Sequence, residues 1–382
     1  MARKAKDAKK EVEKKVTAQE QIDGVLKSDV AKGFHFNDIE ETYYKISTGS
    51  LNLDLEVGGG FPCGIHRFQG PSESGKTSCA LSIAKNFQEY FGDKAMVIFV
   101  KAEGRLSPEV LARSGLDTSK EKFFVLDSNV YEVVYELIRK LVLDNQEDRK
   151  YFFIIDSIDA LCRKSDLNKP FEKSEQVAGG ALVSSVFLKK MALPIIKMGH
   201  VLIFTSQVRA KVDPNGMGGT GKPQASGGNA WRHYANFVLD FQERYSNDIM
   251  YENPSAAKIA DKGRPLGHDC KIIFRKSINE KTGVNMTYPI IYGRTNGNSV
   301  WVEREIIDLL LDWGFLDKGG SWLTVDPELS SRIKDAGLEF IEKIQGIDNL
   351  CKALEKAPDV KDFLFEFCKV EVGKLIGVMN ES

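Results

Sequence analysis

Five short apolar runs recur between residues 95 and 240, at 96–100, 123–126, 152–155, 201–204 and 237–239. Each is apolar at consecutive positions and too short for a helix, the pattern of a strand buried on both faces. Segments of helical period lie between them. Val130, Val133, Val134, Leu137, Ile138 and Leu141 recur at spacings of three and four and predict one apolar helix face. Asn129 ahead of them, with Glu132 three residues on, predicts a capping-box start. Ser107-Pro108 predicts another helix start, a cap residue followed by proline in the first turn. Strand and helix in alternation predict an α/β fold, a mostly parallel sheet with helices on both faces.

The two ends read differently. Residues 1–33 are rich in Lys, Glu, Asp and Ala and predict either a solvated helix or one that docks on a partner subunit. After residue 293 the alternation stops. A helix over 305–313, a short strand or turn over 321–325 and two or three further helices predict a small α+β appendage. The expected organisation is therefore an N-terminal helical segment (1–45), a core (46–293) and a C-terminal α+β domain (294–382). The glycine-rich stretch 216–228 is the long candidate for a mobile loop.

Composition narrows the function classes. The hydrophobic share, 42% of 382 residues, is too high for general disorder. The net charge of −1 excludes arguing a nucleic-acid partner from bulk charge, so any basic surface has to be local. Cys63, Cys79, Cys162, Cys270, Cys351 and Cys368 are scattered, without the clustering that a zinc site or a disulfide framework needs. The charged N-terminus has no apolar run behind it, and no stretch approaches the length of a membrane span. The expected compartment is the cytoplasm.

One segment carries specific chemistry. Gly70-Pro71-Ser72-Glu73-Ser74-Gly75-Lys76-Thr77 fits G-x-x-x-x-G-K-[ST] at every fixed position, with a candidate strand over 66–69 before it and a helix over 77–91 after it, Ser78 in its first turn. Backbone N–H groups of such a loop and of the helix N-terminus point at phosphates. Lys76 adds a charge over the β- and γ-phosphates of ATP, and the Thr77 hydroxyl reaches Mg²⁺. Asp156, ending the apolar run 152–155, is the candidate second metal-associated group, holding a Mg²⁺-bound water. Glu103 and Gln207 each follow a predicted strand at the edge that faces a nucleotide in a parallel sheet, where a group that orients water would sit.

Together these residues resemble the bacterial RecA-type recombinases. The segment Ile46-Ser47-Thr48-Gly49-Ser50-Leu51-Asn52-Leu53-Asp54, the phosphate loop, Ala102-Glu103, Ile155-Asp156-Ser157, the run from Leu202 to Arg209 and Gly227-Gly228-Asn229-Ala230 follow the family's motifs in order. The likeness runs from about residue 35 to residue 325. It implies a RecA-like P-loop ATPase core, Glu103 as the catalytic glutamate and Gln207 as the γ-phosphate sensor. It also implies ATP and Mg²⁺ as cofactors, and a helical homo-oligomeric filament on single- and double-stranded DNA, with an ssDNA-binding protein and a loading mediator among expected partners and no membrane. DNA contacts are implied for 169–180 and for 209–228, where Arg209, Lys211, Lys222, Gly227 and Gly228 suit phosphate contacts that ignore sequence. Arg275-Lys276 stands at the family's subunit-interface lysines.

The departures are specific. Lys101 replaces an acidic residue, Val110 an adenine-stacking aromatic, Ser206 the amide before the sensor glutamine, and His233 an aromatic at the subunit contact. They fit a divergent member, viral origin being one option. The implied function is a DNA-dependent ATPase that promotes homologous pairing and strand exchange in recombination and repair. A ring helicase with the same core and a non-catalytic recombination mediator are the alternatives.

Overall fold

The computed structural model describes residues 16–33, 35–40, 43–104, 106–167, 169–170, 179–211, 221–225, 229–253, 256 and 258–375. The chain separates into two compact units, Met1–Glu41 and Thr42–Ser382. In the first, helix α1 (Ala18–Leu26) opens on a capping box, with Thr17 and Glu20 bonded reciprocally.

The second unit is mixed α/β. Its strands are β1 (Gly64–Gly70), β2 (Ala95–Lys101), β3 (Phe123–Leu126), β4 (Lys150–Asp156), β5 (Val201–Lys211), β6 (Gly221–Ala225), β7 (Phe237–Phe241), β8 (Ile249–Tyr251), β9 (Pro265–Lys276) and β10 (Asn285–Ile291). Among the described residues they form one sheet in the order β10-β9-β7-β1-β5-β4-β2-β3, with β6 on β5 and β8 on β9. The six strands from β7 to β3 are mutually parallel. Strands β9 and β10 add an antiparallel margin.

The continuous apolar runs serve two cores at once. Val97, Phe99, Phe152, Ile154 and Ile203 face one cluster, with Ala80, Ile83, Ala84 and Phe87 of helix α3 (Lys76–Phe91). Ile98, Val100, Phe153, Ile155 and Leu202 face the other. That side is covered by α5 (Tyr131–Leu143) and α7 (Gly179–Lys197). A helix on each face is what such runs require. Strand β3 departs from the expected burial: it is the sheet edge, and Phe124 is 47% exposed.

Helix α4 (Pro108–Ser114) starts where expected, with Ser107 as its cap. Helix α5 does not. Its cap is Val130, without a side-chain cap bond, and Glu132 instead accepts from the Lys164 N–H. Val130 is extended and bridges to Cys162, so the helix begins one residue later than the capping-box reading puts it. The buried face is consequently Tyr131, Val134, Tyr135, Ile138 and Val142, and Val133 is exposed.

Beyond β10 a third cluster joins α9 (Val302–Asp312), α10 (Pro327–Asp335), α11 (Ile347–Lys356) and α12 (Pro358–Leu375). A three-stranded antiparallel sheet, β11 (Leu316–Gly319), β12 (Trp322–Val325) and β13 (Lys343–Gln345), lies beside it. The remaining described helices are α2 (Leu51–Val57), α6 (Lys164–Leu167) and α8 (Asn229–Tyr234).

Glu305 of α9 ties this part to the segment ahead of the phosphate loop. Its buried carboxyl accepts from Ser50 Oγ at 2.5 Å and from the Leu51 N–H at 2.9 Å, at the start of α2. Burial pushes that carboxyl up to about 8 from its ordinary 4.5. A raised folded-state value means the folded chain binds the proton more tightly. The contribution is therefore full below about pH 4.5 and lost as pH rises through 8. Glu305→Gln, whose amide oxygen can still accept the Leu51 N–H while its amide nitrogen donates to Ser50 Oγ, removes the titrating group and should remove on the order of a few kcal/mol of this pH dependence. Melting temperature against pH for the two proteins checks it; parallel curves would exclude Glu305 as the source.

Candidate nucleotide site

Strand β1 delivers the phosphate loop to the middle of the sheet, between β5 and β7. Gly70 closes it at φ 147°, and a Cβ there would meet the Phe241 carbonyl oxygen at 2.2 Å, so the loop can leave the sheet only through glycine. Gly75 caps α3 at φ 98°, also in the glycine-favoured region. The first turn of this 16-residue helix thus faces the loop with its N–H groups unpaired within the helix, a ready anion site. Ser72, Glu73 and Ser78 are exposed and Ser74 is buried.

Lys76 is buried, and its Nζ donates to the Gly70 carbonyl at 3.0 Å, to the Pro71 carbonyl and to Ser74 Oγ at 3.4 Å. Burial lowers its pKa, while Asp156, Glu103 and Asp159 work against that. The ammonium therefore lies over the loop, held by weak neutral acceptors that a phosphate oxygen can replace.

Asp156 ends β4 beside the loop. Its Oδ2 accepts from Thr77 Oγ1 at 2.8 Å and its Oδ1 from Thr205 Oγ1 at 2.6 Å. Burial raises its pKa and the two hydroxyls oppose the rise. A hydroxyl and a carboxylate meeting at the loop are hard oxygen donors of the kind Mg²⁺ takes when it shares its shell with phosphate and water. Thr77 and Asp156 are the residues that would hold it.

Glu103 lies in the turn after β2. The N–H groups of Ala102 and Glu103 donate to the Asp156 carbonyl at 3.0 and 3.3 Å. Ser157 Oγ donates to Glu103 Oε1, and Gln207 Nε2 reaches the same oxygen at 3.4 Å. The Gln207 N–H donates to Asp159 Oδ2 at 2.6 Å. The two residues picked from separate strand ends are thus side by side. Thr205 and Asp159, which complete this end, escaped the sequence reading. Asp159 lies three residues past Asp156, and that spacing was the available signal.

The loop opens into a cavity of about 610 Å³. Val110, Arg113, Arg244, His268 and Tyr292 also line it, and its volume falls in the range of small-molecule sites. Arg244 donates to the Tyr292 hydroxyl at 3.0 Å, and the His268 and Tyr292 rings are 5.5 Å apart. Val110 does line the cavity, so the aromatic surface comes from the other wall. A second cavity, about 560 Å³ between Tyr44 and Val370, is almost wholly apolar and presents no loop to a phosphate.

Of the residues assigned to DNA, Arg209 and Lys211 lie on β5 and Lys222 on β6, with Arg209 opposite Gln224 and Lys211 opposite Gly221. Gly227 and Gly228 lie outside the described residues, as does most of 169–180. The stretch read as one long loop therefore contains a strand, β6, at its centre. Arg275 pairs with Asp240 at 2.6 Å, and Lys276 donates to the Arg232 and His233 carbonyls. Lys101 lies 3.7 Å from Asp127.

The family model of the RecA N-terminal domain matches residues 35–264. The protein RecA of Solidesulfovibrio magneticus is 29% identical over 320 residues, covering 83% of this chain and 79% of that protein. That of Pseudomonas fluorescens is 29% identical over 326 residues, covering 83% and 85%. That of Mycobacterium ulcerans is 27% identical over 316 residues, covering 82% and 83%. Among the described residues, no helix is long and apolar enough to cross a membrane.

Proposed function

We propose, for a chain that belongs to the RecA family, a DNA-dependent ATPase that forms filaments on single-stranded DNA and promotes homologous pairing and strand exchange. The observation that carries this reading is the course of β5. Gln207, near its middle, touches Glu103 at the phosphate end of the site, and the same strand runs on through Arg209 and Lys211 into the β5–β6 pair. One strand thus joins a group that can sense the terminal phosphate to a basic segment suited to DNA.

In this mechanism the loop N–H groups and Lys76 bind the phosphates and orient the terminal one. Thr77 and Asp156 would hold Mg²⁺, which would supply positive charge against the phosphate oxygens. Glu103 accepts a proton from the attacking water, and Gln207 holds the Glu103 carboxylate or a γ-phosphate oxygen through its amide. Departure of that phosphate removes one of the two acceptors, which gives β5 a different partner set with ATP and with ADP.

A difference in contacts between the two states is what linkage requires. Gln207→Ala should keep nucleotide affinity and lose most of the difference in ssDNA affinity between ATP-analogue and ADP states, on the order of 1–3 kcal/mol. A variant that keeps the full difference would remove Gln207 from the coupling.

The test of the whole reading is ATP turnover and electron microscopy with ssDNA, dsDNA and no DNA. DNA-stimulated turnover and open helical filaments are expected. Closed rings would favour a helicase, and absence of turnover a mediator.

A further inference from the structure

Arg67 on β1 is 4% exposed, a cation in the middle of a ten-stranded sheet. A buried guanidinium persists only where acceptors and opposite charge surround it. Its Nε and Nη2 donate to Ser206 Oγ at 3.1 and 3.0 Å. Its guanidinium carbon lies 5.8 Å from the centre of the Phe204 ring. Burial pulls its pKa down to about 10, and the carboxylates of Asp159 and Asp240 oppose that.

Each partner leads to a residue of functional interest. Ser206 directly precedes Gln207 on β5. Asp159 accepts the Gln207 N–H at 2.6 Å. Asp240 accepts from Arg275 Nε at 2.6 Å. One side chain touches Ser206 and feels both carboxylates because β1 lies between β5 and β7, with Gln69 opposite both Ser206 and Asp240.

Resting on the ATPase reading above, we propose that Arg67 is a positioning residue. It clamps the backbone at 206–207 from below, through Ser206 and Asp159, and so sets the Gln207 amide against Glu103. Through Asp240 it joins that end of the site to Arg275. Without the cation, Asp240 keeps Arg275, and Asp159 loses an opposite charge that supports it under the Gln207 N–H.

The experiment compares Arg67→Met, which keeps the apolar stem, with Arg67→Lys, in full-length protein with ssDNA. Arg67→Met should lower kcat at least about tenfold with the KM for ATP within about threefold, because the phosphate loop is untouched. Arg67→Lys should recover part of the loss, since an ammonium restores the charge without the fork. Combined with Gln207→Ala, Arg67→Met should slow turnover no further than Gln207→Ala alone, the mark of two residues acting through one element. Wild-type kcat in Arg67→Met, or losses that multiply in the double variant, would overturn the proposal. If Arg67→Met does not fold, Ser206→Ala and Arg67→Lys take its place, and wild-type kcat in both overturns it.

If the wild type turns over no ATP, the ATPase reading fails by itself. Arg67 is then judged on Trp231, whose ring centre is 3.8 Å from that of Phe204. Its emission, isolated by Trp231→Phe, should differ between ATP-analogue and ADP in wild type and not in Arg67→Met. Persistence of the difference in Arg67→Met overturns the clamp.

Discussion

Glu103→Gln is expected to bind ATP as tightly as the wild type and to hydrolyse it at least about a hundredfold more slowly, the range of a lost general base. The substitution keeps shape and volume and removes the ability to take a proton. The surroundings argue that the carboxylate is held for that task. Its turn is fixed by two N–H bonds to the Asp156 carbonyl, so the Glu103 turn is tied to the end of β4. Ser157 and the Gln207 amide both donate to Oε1, which orients the group. Slower hydrolysis with intact binding should prolong the filament on DNA, because the ATP state would outlast its usual lifetime. Single-turnover kinetics and the affinity for a fluorescent ATP analogue separate the two effects. Unchanged turnover would assign the water to another group, and Asp159, the next carboxylate along, would be the first to substitute.

How much of this was legible in the sequence depends on the kind of pattern each element carries. Strands β2, β4 and β5 sit between two layers of helices, so four or five consecutive positions of each are apolar and the run is visible. Strands β9 and β10 alternate buried and exposed positions, and a search for continuous runs passes over them. With them went His268, Arg244 and Tyr292, since that wall of the cavity is built on and beside the antiparallel margin. The phosphate loop was legible because its chemistry dictates residues at fixed spacing. The face of α5 was misplaced because Tyr131 and Tyr135 supply much of it: they are buried aromatics whose hydroxyl ends kept them out of an aliphatic count. Its capping box failed because Val130 is held in a bridge to Cys162, a contact between segments 32 residues apart that no local pattern encodes. Arg67 was invisible for a related reason. A lone arginine in a strand reads as exposed, and only the sheet order puts it among Ser206, Asp159 and Asp240.

Lys76→Ala should reduce turnover by at least about a thousandfold, at or beyond the cost of removing one preorganised donor from a developing oxyanion. The ammonium is buried and already directed over the loop by the Gly70 and Pro71 carbonyls, so it needs little rearrangement to meet a phosphate. Those acceptors are neutral, and a phosphate oxygen competes with them as a charged one. Charge that builds on the transferred group would then fall within reach of the same ammonium, an interaction that strengthens toward the transition state and therefore acts on kcat. Alanine also leaves the two loop carbonyls without this donor, so a modest loss of stability is expected on its own account. Melting temperature separates the two consequences. A folded variant without turnover fits the assignment, as does one that also binds ATP weakly, because Lys76 serves ground state and transition state together. A folded Lys76→Ala protein that hydrolyses ATP at the wild-type rate would place the chemistry outside this loop. Glu103 and Gln207 would then lose their roles with it, since both are assigned by their place at the strand ends beside the loop that carries Lys76.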